Sequence, residues 1–147
     1  CGTAYAAGVG EEIQPLPYLG DGSVVLAKGK GGISTAAAYT AMDALQNPPH
    51  PNVPEMKRQL QAYAESKDLA PLFGNLFAEV TELPIVQKLQ QEMLARGAFA
   101  SLMTGSGSAV FGLFSSQESA RKCCSALRKI VPFVAQCKTI PHTFYAI

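Results

Sequence analysis

Two strand-like runs, Ala98–Met103 and Ala109–Phe114, flank the pentapeptide Thr104-Gly105-Ser106-Gly107-Ser108. So short a connection, rich in glycine and serine, reads as the loop of a β-hairpin, which commits the chain to an antiparallel sheet. Around that hairpin the hydrophobic periodicity is mostly helical. Ala38, Ala41, Met42 and Leu45 keep i, i+3, i+4, i+7 spacing, predicting a helix over Thr35–Leu45 capped by Ser34 or Thr35. The prolines of Asn47–Pro54 predict a loop. Beyond it, apolar stripes predict helices over Glu55–Lys67 and Leu69–Leu83, and a third from Pro84 to Arg96 that Gly97 terminates. Ser115 with Glu118 has the pattern of a capping box for a helix ending near Ile130, whose apolar face includes Cys123 and Cys124.

Extended segments are expected at Gly2–Ala7 and Glu12–Leu16, joined by the turn Gly8-Val9-Gly10. Another is expected at Ser23–Ala27, where Val24-Val25-Leu26 suggests burial on both faces, and a last one at Phe133–Ile140. The order of elements predicts an α+β fold, a two-layer sandwich with helices on one face of a mainly antiparallel sheet. It resembles a ferredoxin-like β-α-β-β-α-β unit with helices inserted after the first helix. A chain of 147 residues with 48% hydrophobic residues can bury a core of its own.

Several function classes are disfavoured. Twelve Lys and Arg against eleven Asp and Glu leave a net charge of +1, which gives no support to a nucleic-acid or anionic-membrane partner. His50 and His142 lack metal-ligand spacing, so no metal site is expected. The four cysteines form no C-x-x-C pair and read as free thiols of a reducing cytoplasm. Glu11, Glu12, Asp43, Asp68 and Glu79 are scattered, and no nucleophile elbow, zincin or Cys–His pattern occurs. The pairs Lys57-Arg58, Arg121-Lys122 and Arg128-Lys129 read as solvated helix faces.

Two stretches could bind a ligand. In Thr104–Ser108 the glycines permit close backbone approach, and successive N–H groups with the hydroxyls of Thr104, Ser106 and Ser108 can form an anion nest. An ordinary hairpin turn explains the same residues. No Lys-Ser/Thr follows the loop as in a Walker A motif, and it leads into a strand, unlike a dinucleotide-binding fingerprint. The second stretch, Gly29-Lys30-Gly31-Gly32, precedes a helix N-terminus where Thr35 and Tyr39 share a face. A simple N-cap beside a half-buried aromatic is the alternative.

Three segments together resemble the C-terminal part of the GHMP kinase superfamily. G-T-A-Y-A-A-G-V-G-E-E (Gly2–Glu12) is similar to the stretch just after that family's catalytic aspartate. V-V-L-A-K-G-K-G-G-I-S-T-A-A-A-Y (Val24–Tyr39) is similar to its passage from strand to helix in the second domain. L-M-T-G-S-G-S-A-V-F (Leu102–Phe111) is similar to its third motif. The I-S-T-A-A-A-Y stretch points to the branch with a cytidyl substrate. The resemblance implies ATP-dependent phosphorylation, with Mg²⁺, of the 2-hydroxyl of that substrate's methylerythritol moiety. It implies that Tyr39 contacts the cytosine, that Thr35 lines the same pocket, and that Thr104, Gly105, Ser106, Gly107 and Ser108 face the phosphates and the reactive part of the substrate. It further implies that residues 1–20 are remnant strands of an ATP-binding domain and that 21–147 form the GHMP C-terminal domain. The family's ATP loop and catalytic aspartate would precede Cys1, so none of these residues is expected to be catalytic and the chain alone is expected not to turn over. The resemblance implies a bacterial or plastid source, with the bacterial cytoplasm favoured. Homoserine and mevalonate kinases share the third motif and form an alternative, as does a free-standing ferredoxin-like small-molecule-binding module.

Overall fold

In the computed structural model the described residues are 3–18, 20–48, 50–66 and 74–141. They fall into two compact units, one drawn from Cys1–Asp21, Asn52–Phe73 and Lys138–Ile147, the other from Gly22–Pro51 and Gly74–Cys137.

The first unit contains a hairpin of β1 (Thr3–Ala7) and β2 (Glu12–Leu16), paired antiparallel from Thr3↔Leu16 to Ala7↔Glu12. Its helix, α2 (Val53–Ser66), begins two residues before the expected Glu55. The Asn52 side chain accepts from the Glu55 N–H at 3.1 Å, and Pro54 suits a first turn that needs no N–H donor. Lys57 anchors this helix to the hairpin: its Nζ lies 3.4 Å from the Tyr5 ring centroid and donates to Gln14 Oε1 at 3.0 Å.

The second unit contains β3 (Ser23–Lys28), α1 (Thr35–Asp43), a short 3-10 helix (Leu76–Val80), α3 (Pro84–Ala95), β4 (Ala100–Met103), β5 (Ala109–Phe114), α4 (Gln117–Leu127) and β6 (Phe133–Lys138). The sheet order is β4-β5-β3-β6, so the central strands come from different halves of the β-α-β-β-α-β unit, as the ferredoxin-like arrangement requires. β4 and β3 both run antiparallel to β5. Helices α3 and α4 cover one sheet face. Val86, Leu89 and Met93 of α3 and Ala120, Cys123, Cys124 and Leu127 of α4 close over Val25, Ala27, Met103, Val110 and Phe114. At the centre a Cβ on Gly112 would lie 2.8 Å from Met93 Sδ, so β5 admits no side chain where α3 crosses it.

Three sequence expectations change. β3 buries Ser23, Val25 and Ala27, the last two in the core that α3 and α4 close, while Val24 and Leu26 on the opposite face are partly exposed. Ser116, not Ser115, caps α4, accepting from the Ser119 N–H at 3.3 Å; Glu118 instead pairs with Lys122 one turn on. The helix expected over Leu69–Leu83 contains only the 3-10 turn Leu76–Val80 among its described residues, 67–73 lying outside them. Thr81 Oγ1 closes that turn by donating to the Phe77 carbonyl at 2.6 Å. Thr81 is already extended (φ −96°, ψ 106°), and Leu83 (φ −95°, ψ 104°) holds the conformation favoured before a proline, so the turn does not continue into the next helix.

Candidate functional site

The sheet register explains where the two glycine-rich stretches go. Lys28 at the end of β3 pairs with Ala109 at the start of β5, so Gly29–Ser34 and Thr104–Ser108 leave the sheet at the same end. Once there, side-chain hydroxyls join them. Ser108 is fully buried and its Oγ donates to the Gly31 carbonyl at 2.7 Å. Ser106 Oγ donates to the Ile33 carbonyl at 3.3 Å and lies 3.3 Å from Thr35 Oγ1. A hydroxyl has one proton, so with Ser106 donating to Ile33 it is Thr35 that donates to Ser106. The serine hydroxyls thus hold the loop to the segment before α1, and the groups left for a ligand are backbone N–H donors, Thr104 and the exposed start of α1. Ser34 caps α1 by accepting from the Ala37 N–H at 3.1 Å. The N–H groups of a helix's first turn have no partner within the helix, and its dipole favours negative charge there.

The loop is internally braced as well. Gly107 N–H donates to the Thr104 carbonyl at 3.2 Å, and Thr104 N–H donates to the Ala109 carbonyl at 2.9 Å. Gly105 and Gly107 take φ of 57° and 93°, and the Gly107–Ser108 peptide is cis. A Cβ on Gly107 would also meet Met103 Sδ at 2.7 Å.

One turn along α1 from Thr35, Tyr39 packs edge-on against Phe77, with ring centroids 5.0 Å apart and planes at 87°. It remains 57% exposed, so about half of the residue is open to solvent beside that contact. Thr35, Tyr39 and the Thr104–Ser108 loop are therefore gathered in one unit. Asn75 belongs with them and was not expected. Its Nδ2 donates to the carbonyls of Met103 and Gly105, each at 2.8 Å, while Oδ1 accepts from the Phe77 N–H at 3.0 Å. The helical stripe over Leu69–Leu83 concealed it; the Gly74-Asn75 dipeptide, a turn and N-cap signal, could have revealed it.

The groups with displaced proton affinity lie elsewhere. Burial raises the Cys123 thiol to about 11, which keeps it a protonated core side chain and not a nucleophile. Hydrogen bonds from Arg58, then Gln59, lower Glu55 on α2 to about 2. Among the described residues no group of three or more His, Cys, Asp and Glu could hold a metal ion, and no helix is long and apolar enough to cross a membrane.

The chain as a whole resembles known proteins. Residues 41–132 match the family model described as GHMP kinases C terminal. The 4-diphosphocytidyl-2-C-methyl-D-erythritol kinase of Moorella thermoacetica is 36% identical over 143 residues, covering 95% of this chain and 50% of that protein. The kinase of the same name from Geobacillus kaustophilus is 40% identical over 131 residues, covering 86% and 44%. The chain thus spans about half the length of the curated relatives it matches. A crystal structure of 4-(cytidine 5'-diphospho)-2C-methyl-D-erythritol kinase superposes with a TM-score of 0.70 at 27% identity, over 92% of this chain and 48% of that one. The L. major mevalonate kinase, at 14% identity and a TM-score of 0.66 over 88% of this chain and 46% of that one, shares the fold. With the family match running from the last turn of α1 through α4 and across the glycine loop, the chain belongs to the GHMP kinases, in their C-terminal part.

Proposed function

We propose that this chain is the C-terminal, substrate-holding portion of an ATP-dependent kinase that phosphorylates the 2-hydroxyl of 4-diphosphocytidyl-2-C-methyl-D-erythritol. The observation that carries this reading is the joining of the Thr104–Ser108 loop to the start of α1 through Ser106 and Ser108, beside the exposed part of Tyr39. An anionic phosphate fits backbone N–H donors at a glycine loop and a helix N-terminus. A flat cytosine fits the exposed part of Tyr39, and Thr35 at the first turn of the same helix, its proton engaged with Ser106, offers its hydroxyl oxygen as an acceptor. In this role the chain orients substrate, which in phosphoryl transfer is a large share of catalysis. ATP phosphates would meet the loop. Mg²⁺ neutralises phosphate charge in such reactions, but the described residues offer it no ligand cluster, so no step is assigned to it here.

We assign no catalytic residue within these 147 residues. Residues 1–20 belong, in this reading, to the ATP-binding domain that supplies the glycine-rich ATP loop and the base. The relatives, each about twice the matched length, have room for such a further domain. The test is an ADP-release assay with the cytidyl substrate, on the 147-residue chain and on the protein expressed from its complete reading frame. Turnover is expected only from the latter. Turnover by the short chain would end the division of labour. Activity on mevalonate or homoserine in place of the cytidyl substrate would transfer the reading to another GHMP kinase.

A further inference from the structure

Asn75 contacts the glycine loop directly and Tyr39 through Phe77, and its three hydrogen bonds admit a single orientation. The two carbonyls of Met103 and Gly105 can only accept, so they face Nδ2; the Phe77 N–H can only donate, so it faces Oδ1. The Nδ2 side grips the glycine loop on either side of Thr104. The Oδ1 side caps the 3-10 turn that carries Phe77, whose carbonyl is held in turn by Thr81 and whose ring supports Tyr39. Phe77 also packs on the core, so the turn is anchored beneath as well as at both ends. We infer that Asn75 is a positioning residue that sets the phosphate-side loop and the aromatic platform for the base in one mutual geometry; the inference rests on the reading of those two features as the substrate site.

The two arms can be cut separately. Asn75→Ser keeps an oxygen to cap Phe77 and loses both bonds to the loop; Asn75→Ala loses all three. Steady-state kinetics of the protein from its complete reading frame, well below its melting temperature, should show kcat of Asn75→Ser down about tenfold with KM for the cytidyl substrate within about twofold. In Asn75→Ala the KM should rise as well, by about threefold or more, as the Tyr39 support loosens. Amide hydrogen exchange is read alongside. In Asn75→Ser the Thr104 and Gly107 amides should exchange at least about tenfold faster while those of Leu89 and Met93 in α3 keep their rates.

Loop exchange at the wild-type rate overturns the inference whatever the kinetics show. So does faster loop exchange with unchanged kcat and KM, and so does a uniform acceleration that includes α3, which marks a purely structural residue. A wild-type protein without turnover of the cytidyl substrate sinks the proposed function, and the exchange data then still decide whether Asn75 sets the loop.

Discussion

Gly107 shows how tightly single residues are constrained here. Its φ of 93° is costly for any residue with a Cβ, and that Cβ would lie 2.7 Å from Met103 Sδ. Gly107→Ala should therefore destabilise the second unit by about 1–3 kcal/mol in urea melts, since strain of that order attends a non-glycine residue at positive φ. Cysteine reactivity gives a second residue-level prediction. Cys137 is exposed, whereas Cys123 and Cys124 are buried and desolvation holds the Cys123 thiol high. Iodoacetamide at neutral pH, followed by peptide mass mapping, should modify Cys137 in the native protein and reach Cys123 and Cys124 only on unfolding. The core role of the adjacent cysteines was legible in the sequence, because helical periodicity puts both on the apolar stripe. The role of Asn75 was not, because its partners at 103 and 105 are 28 and 30 residues away along the chain.

At the scale of elements, caps decide boundaries. Ser116→Ala should cost about 1 kcal/mol, the usual loss for a hydroxyl N-cap, and Ser115→Ala close to nothing, as thermal denaturation of the two variants would show. The sequence pattern favoured Ser115 because Glu118 stands three residues later; in the structure the carboxylate turns to Lys122 instead. The helix expected over Leu69–Leu83 fails for a comparable reason. Its apolar spacing suits a helix, but Asn75 and Thr81 give the backbone local side-chain partners that end the turn at both sides, and Pro84 forces Leu83 out of the helical region. Where no such competitor intervenes, as in α3 with Pro84 opening it and Gly97 (φ 90°) following it, sequence and structure agree.

For the whole molecule, two groups shape stability at opposite ends of the pH scale. Glu55 is lowered from 4.5 to about 2 by its bonds to Arg58 and Gln59, so its contribution is complete above pH 4.5 and is lost as pH falls toward 2. Both partners are solvent-accessible, so the effect should be slight and should weaken further in salt. Cys123 is raised from 9.0 to about 11 by burial. Above pH 9 the unfolded chain releases this proton while the folded chain retains it, so stability should fall as pH rises from 9 to 11. Urea titrations across that range should show the decline in the wild type and a flatter curve in Cys123→Ala.

The sequence by itself determined the hairpin, a hydroxyl cap for α1 at Ser34 or Thr35, the ends of α3, the apolar face of α4, and the residue types that resemble the GHMP kinases. All of these depend on neighbours within a few positions, where periodicity and turn chemistry act. Only the tertiary structure decided the register of β3 on β5, with Lys28 opposite Ala109, and hence that the two glycine-rich stretches meet. The hydroxyls that join them reach carbonyls 73 and 77 residues away, a pairing that no local pattern encodes. Tertiary contact likewise decided that β3 buries one face, the one on which α3 and α4 pack, and that Asn75 stands between the loop and Tyr39's aromatic support.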